Sequence, residues 1–291
     1  MRKIILLTIL TMVQILAKET TIHSLGEIDN AVKYSEGKAF LDDQLHGIES
    51  KSPFGTELPS WIDTQELSAL IAPKESIEKN TLLGIKSWRK QTHSYVAIGC
   101  YSANKVYKKE LPYCHSYNGD LNVYLAVLEH KKGKKYRLKS KTFEPLDIKI
   151  NYKNSQLPSG ASEEDITPTN YVKFDFAPYK ITKDSYAFGL RVAFLEAYSG
   201  GGANFETLVL FEQQGDKLVQ IFIEPMYSFV NIAGEWHDDG TRDHDITEEK
   251  NIVIVQKHMT NGHYDLKVKG LDSKFTKIFI FDKQKNYYVA K

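Results

Sequence analysis

The chain has 291 residues, with 38 Lys+Arg set against 37 Asp+Glu for a formal charge of +1. That balance excludes the broad basic face a nucleic-acid partner requires. The length supports one large core or two modest ones.

The first seventeen residues, MRKIILLTILTMVQILA, join a cationic start at Arg2 and Lys3 to an apolar run broken only by Thr and Gln14. The pattern predicts a secretory signal over residues 1–17, too short for a spanning helix and soon followed by charge. Removing it turns the charge slightly negative. No cysteine ends the run, so lipid attachment is not expected. The expected destination is periplasmic or secreted, with no transmembrane span once the signal is gone. In such a compartment an even pair of cysteines is bridged, and Cys100 with Cys114 would close a loop worth roughly 3 kcal/mol of unfolded-chain entropy.

Residues 18–153 form the expected N-terminal region, mixed and polar up to about residue 90. One helix is signalled there: Asp63 or Thr64 can cap Gln65–Ile71, and Pro73 stops it. The stretch SKSPFGTELPSW around it reads as coil. Alternation with a period of two then begins in SYVAIGC and DLNVYLAVLEH and continues in KKYRLKS and LDIKINY, marking half-buried strands. The basic run Lys131–Lys135 between two of these reads as a solvated hairpin tip. Residues 154–170, rich in Pro, Ser, Gly and acid, read as a linker or long loop.

Residues 171–291 form the expected C-terminal antiparallel β region. Tyr171–Phe176 alternates, and Tyr186, Phe188, Leu190, Val192 and Phe194 share one face of the next run. TLVLFEQQGDKLVQIFI is a hairpin around Gln-Gln-Gly-Asp. NIVIVQKH, YDLKVKG, TKIFIFD and NYYVAK add four short strands, with Asn261-Gly262 and Lys283–Asn286 as turns. No helix-length apolar stripe follows residue 75. The fold class expected is mainly β, with antiparallel sheets arranged as a sandwich or propeller-like fragment behind a short helical, irregular N-terminal region.

Chemistry concentrates in GEWHDDGTRDHDI, Gly234–Ile246. Glu235, Asp239, Asp243 and Asp245, with Gly240 for a sharp turn, have something of the spacing of a cation loop, which makes calcium a candidate ion for this segment. Asp239-Gly240-Thr241-Arg242-Asp243, followed by GHYDLKV and FIFDKQKNYYVA, resembles the calcium-loop segments of FG-GAP/VCBS-type repeats of secreted proteins over about sixty residues. The resemblance implies a divalent ion held by the loop, although Glu235 and His237 stand where those loops carry Asp or Asn. A transition-metal alternative uses His237, His244, His258 and His263, and the plainest reading is a polar connection between strands. Met226, Tyr227, Phe229 and Trp236 bring large apolar side chains beside the acids, the mixture of a recognition surface.

Ala197-Tyr198-Ser199-Gly200-Gly201 approaches a serine elbow, but the following Asn204–Phe211 reads as a strand where the elbow needs a helix. Asp243 and His258 are in a permitted order for a triad with Ser199. Glu163-Glu164 and Glu248-Glu249 are carboxylate pairs in stretches expected to be exposed, where nothing raises a pKa.

The expectation is an exported, non-catalytic, disulfide-bonded binder of another protein that needs no cofactor, one form being an immunity or inhibitor protein that occludes a secreted or periplasmic hydrolase. Its predicted surface is Gly201, Gly202, Asn204, Tyr227, Phe229, Trp236 and Arg242. The alternatives are a secreted hydrolase using Ser199 or a His/Asp metal cluster, and a calcium-dependent structural or glycan-binding module.

Overall fold

The computed structural model describes residues 19–46, 53–104, 112–116, 121–152, 155, 157 and 166–291. The predicted signal and most of the 154–170 segment, including Glu163 and Glu164, lie outside them. Among the described residues no helix is long and apolar enough to cross a membrane.

The architecture is mainly β, with short helices confined to the first eighty residues. In chain order, β1 spans Glu19–Ile22, α1 Ile28–Ala31, α2 Ser35–His46 and α3 Thr64–Ile71. Strands β2 to β5 are Asn80–Ser87, Ser94–Ser102, Leu121–Glu129 and Arg137–Lys141. Strands β6 to β9 are Asn170–Asp175, Phe188–Tyr198, Gly201–Gln214 and Lys217–Trp236. Last come β10, Arg242–Thr260, β11, His263–Gly270, β12, Thr276–Asp282, and β13, Tyr287–Ala290.

The predicted cap of α3 is present: the Asp63 carboxylate accepts from the Glu66 backbone N–H at 2.8 Å, satisfying one orphan donor of the first turn. LDIKINY does not form a strand. It joins the fold by an isolated bridge between Ile150 and Ile166 while burying Ile148, Ile150 and Tyr152.

Antiparallel neighbours run β6-β7-β8-β9-β10, and β1 pairs with the first half of β10 while β11, β12 and β13 extend from its second half. β2 to β5 form a meander joined to β9 by a single parallel contact, Lys141 with Lys217. Because successive strand residues face opposite ways, β8 feeds two cores. Phe205, Val209 and Phe211 face the β2–β4 meander, where Val96, Ile98, Val123, Leu125 and Trp88 meet them together with Phe188, Leu190 and Val192. Leu208 and Leu210 face the other way, onto Leu266, Val268, Phe279, Phe281 and Tyr288 of β11–β13. Residues on both sides of the 154–170 segment therefore share one core.

The rest of that second face, at the Tyr227 and Phe229 end of β9, is covered by α1 and α2 through Val32, Phe40 and Leu41. Cys100 and Cys114 are bonded with their Cα atoms 5.7 Å apart, tying β3 to the segment that reaches β6 through Tyr171 N–H and Cys114 O. Disulfides persist in oxidising compartments.

Candidate functional site

The acidic stretch is not a loop between short strands. It is the tip of the longest hairpin, with β9 running to Trp236, β10 starting at Arg242 and only His237–Thr241 turning. His237 N–H donates to Thr241 O at 2.9 Å and Gly240 N–H to His237 O at 3.0 Å. Asp239 Oδ1 accepts from Thr241 Oγ1 at 2.6 Å and from Thr241 N–H at 2.9 Å, and these bonds hold its carboxyl below the usual range. Asp239 thus closes the turn in the manner of turn aspartates generally.

Trp236 is 68% exposed. Arg242 lies opposite it in register, its guanidinium 5.2 Å from the indole centroid, and Arg242 Nε donates to Gly234 O at 2.8 Å. The same guanidinium covers the neighbouring β7–β8 turn, where a Cβ on Gly200 would come within 2.6 Å of Arg242 Nη1. Gly200 has φ of +81°, so both the turn and the close approach call for glycine there. The two loop regions expected to act together are thereby joined at Arg242.

Asp243 sits in a register irregularity between Arg242 and His244, the kind of bulge that re-aims a side chain. Its Oδ1 lies 2.8 Å from both His237 Nε2 and His23 Nδ1. The bonds to His237 and His23 hold the Asp243 carboxyl below the usual carboxylate range. His23 comes from the end of β1, which pairs Ile22 with His244 and Thr21 with Asp245; Asp245 Oδ1 accepts from Thr21 Oγ1 at 2.8 Å.

The four predicted calcium ligands consequently do not converge. Asp239 serves the turn, Asp243 faces the two histidines, Asp245 binds Thr21 and Glu235 is exposed. The four histidines of the transition-metal reading scatter as well. His244 is buried against Asn231 Oδ1 at 2.9 Å, with burial and Arg242 lowering its pKa. His258 pairs with Asp265 at 2.7 Å, and His263 stacks on Phe281 at 3.6 Å. Among the described residues the one group of three or more His, Cys, Asp or Glu side chains able to share an ion is His23, His237 and Asp243.

The expected apolar rim needs correction. Met226, Tyr227 and Phe229 are fully buried, the last two beneath α1 and α2; Asn204 and Gly202 are also buried, and Gly201 is half-buried. What remains on the outside is Trp236, half-exposed Arg242 and Ile232, 54% exposed on the same strand. For Tyr227 and Phe229 the cause is the pair of N-terminal helices, for which the sequence carries little apolar signal, while Met226 packs with β11–β13.

The carboxylate pair also differs from expectation. Glu248 accepts from the backbone N–H groups of Lys33 and Tyr34, at 2.7 and 3.2 Å, and from Tyr227 OH at 2.7 Å, anchoring the helical segment. Burial pushes the Glu249 carboxyl up, with Asp272 adding to it. As successive residues of one strand the two acids face opposite ways, so they do not flank a common bond.

Ser199 is exposed in a two-residue turn between antiparallel strands, since Tyr198 pairs directly with Gly201. No helix follows it, and His258 lies at the far end of the strand that begins with Arg242. The basic hairpin tip is only partly neutralised: Glu129 takes Arg137 at 2.5 Å and Lys131 at 3.9 Å, and Glu66 takes Lys135 at 2.6 Å.

Compared with protein-family models, curated proteins and solved structures, the chain matches none of them.

Proposed function

We propose that this chain is an exported, non-catalytic binding protein that engages another protein through the paired β7–β8 and β9–β10 tips. The observation carrying this reading is Trp236, two-thirds exposed yet held against Arg242 at the end of a 20-residue strand. Trp and Arg are the residue types that dominate interface energetics, and an anchor held rigidly before contact loses little entropy on binding. Ile232 extends the apolar contact along the same strand, while Asp243 and Asp245 supply an acidic border. Export is supported by the cationic and apolar leader and by the Cys100–Cys114 bond. The partner class favoured is a secreted or periplasmic hydrolase whose cleft the two tips would occlude.

The Ser199 form of the hydrolase alternative is disfavoured, since Ser199 stands in a tight turn and the His258 imidazole meets Asp265 at the other end of β10. A panel of secreted peptidoglycan and glycan hydrolases, each assayed with increasing protein, tests the proposal. Inhibition saturating at one chain per enzyme, lost in Trp236→Ala and kept in Ser199→Ala, is the expected result. Turnover of an ester, glycan or peptidoglycan substrate by the protein itself, abolished by Ser199→Ala, would overturn it.

A further inference from the structure

We infer that His23, His237 and Asp243 form a binding site for a single borderline transition-metal ion such as Zn(II), Cu(II) or Ni(II). Three segments far apart in sequence converge on it: the residue after β1, the β9–β10 turn and the start of β10. Their ligating atoms all lie within 4.8 Å of one another. Two nitrogens and one carboxylate oxygen suit these ions and not calcium.

The positions are set by backbone. Because β1 pairs Thr21 with Asp245 and Ile22 with His244, continuing that register brings His23 beside Asp243. His237 arrives from the other side, fixed by its hydrogen bonds to Thr241 and Gly240. Around a tetrahedral ion with bonds of about 2.0–2.1 Å, donors stand about 3.3 Å apart. Each 2.8 Å nitrogen–oxygen separation has to widen slightly, and the two nitrogens have to close by at most about 1.5 Å. The His23 side chain, 74% exposed, is free to make that adjustment. Three protein ligands leave a fourth position for water or for a side chain of another molecule, beside Trp236 at the tip.

The ion would also staple the first strand to the hairpin. Ligation requires deprotonated imidazoles, so affinity falls as pH is lowered.

The test is titration of the purified protein, without a histidine tag, with Zn(II) against a chromophoric chelator, repeated with Co(II) for its ligand-field spectrum. The expected result is one ion per chain at pH 7.5, with affinity reduced more than about tenfold in each of His23→Gln, His237→Gln and Asp243→Asn. His258→Gln, an exposed histidine at the other end of β10, should leave it unchanged. Circular dichroism establishes that each variant is folded. No stoichiometric ion at pH 7.5, or unaltered binding by a folded His23→Gln, His237→Gln double variant, overturns the site. The site stands or falls independently of the partner-binding proposal.

Discussion

Over the Leu208–Leu210 end of β8, strands β11–β13 pack Phe279 and Tyr288 edge-on against Phe222, at 5.0 and 6.1 Å. Over the Asn204–Glu206 end of the same face, α1 and α2 bring Phe40 to within 5.6 Å of Phe229 but make much of their remaining contact through charge. Glu36 takes Lys250 at 2.8 Å, and Lys33 and Tyr34 reach Asp272. Glu248 accepts from the backbone N–H groups of the link between α1 and α2, and Gly37 lies so close to Tyr227 OH and Glu248 that no Cβ fits there. One face of one sheet thus carries an apolar cover and a polar one. The second needs its partners in place, since a buried charge stripped of its mate costs more than the pair contributes.

The comparison breaks most sharply at the aromatic anchors. Phe222→Ala and Phe229→Ala should each cost about 3–5 kcal/mol in chemical denaturation. Hydrogen exchange should then show β11–β13 loosened by the first and residues 28–46 by the second. Equal exchange in both regions for either variant would mean that the two covers open as one unit.

Next in size is Lys250→Met, which leaves Glu36 the Lys173 ammonium at 3.9 Å and the Ser35 hydroxyl at 3.2 Å. A loss of about 2–3 kcal/mol is expected, with faster exchange confined to α2 and its surroundings.

The two covers should also answer pH in opposite senses. Burial opposes ionisation of Glu36, but the hydrogen bond from Lys250 and the charges of Lys250 and Lys173 outweigh it and lower its pKa. Its contribution is therefore present above the unfolded-state value and is lost as pH falls through the folded one. Glu224, facing β12 and Lys277, is pushed by burial from 4.5 up to about 6. Its contribution is complete below about pH 4.5 and is lost as pH rises through about 6, amounting to about 2 kcal/mol. Glu224→Gln should flatten stability between those limits, measured by denaturant titration at half-unit pH steps.

Smallest are the tip variants. Trp236→Ala and Ser199→Ala should each change stability by less than about 0.5 kcal/mol; a larger loss in the first would make Trp236 a structural residue.

The same contrast explains what the sequence discloses. The apolar cover is legible because alternation reports it: Phe279 and Phe281 are buried from TKIFIFD, and Tyr186 to Phe194 all turn toward one core. The start of β10 is not legible in this way. Its helix-facing residues are His244, Ile246, Glu248 and Lys250, of which only Ile246 is apolar, so RDHDITEEK gives no period of two although it is a strand. Helix α2 is silent for the matching reason, since Glu36 and Gly37 make contacts that apolar residues make elsewhere. Asp243 was recognisable as a ligand type in a suggestive segment. His23 was not, because its relation to Asp243 spans 220 residues of chain and depends on the pairing of β1.

That pairing sets an order of events. The open side of the β9–β10 tip is closed by Glu19–Ile22, which meets Thr247–His244, so the earliest strand among the described residues has no mate until β10, more than two hundred residues later, is made. Wherever β1 has not yet docked, the β10 edge bearing Asp243 and Asp245 faces solvent, and edges of that kind invite pairing with other chains. The acids crowded along it repel a second copy, so charge guards the edge while it waits.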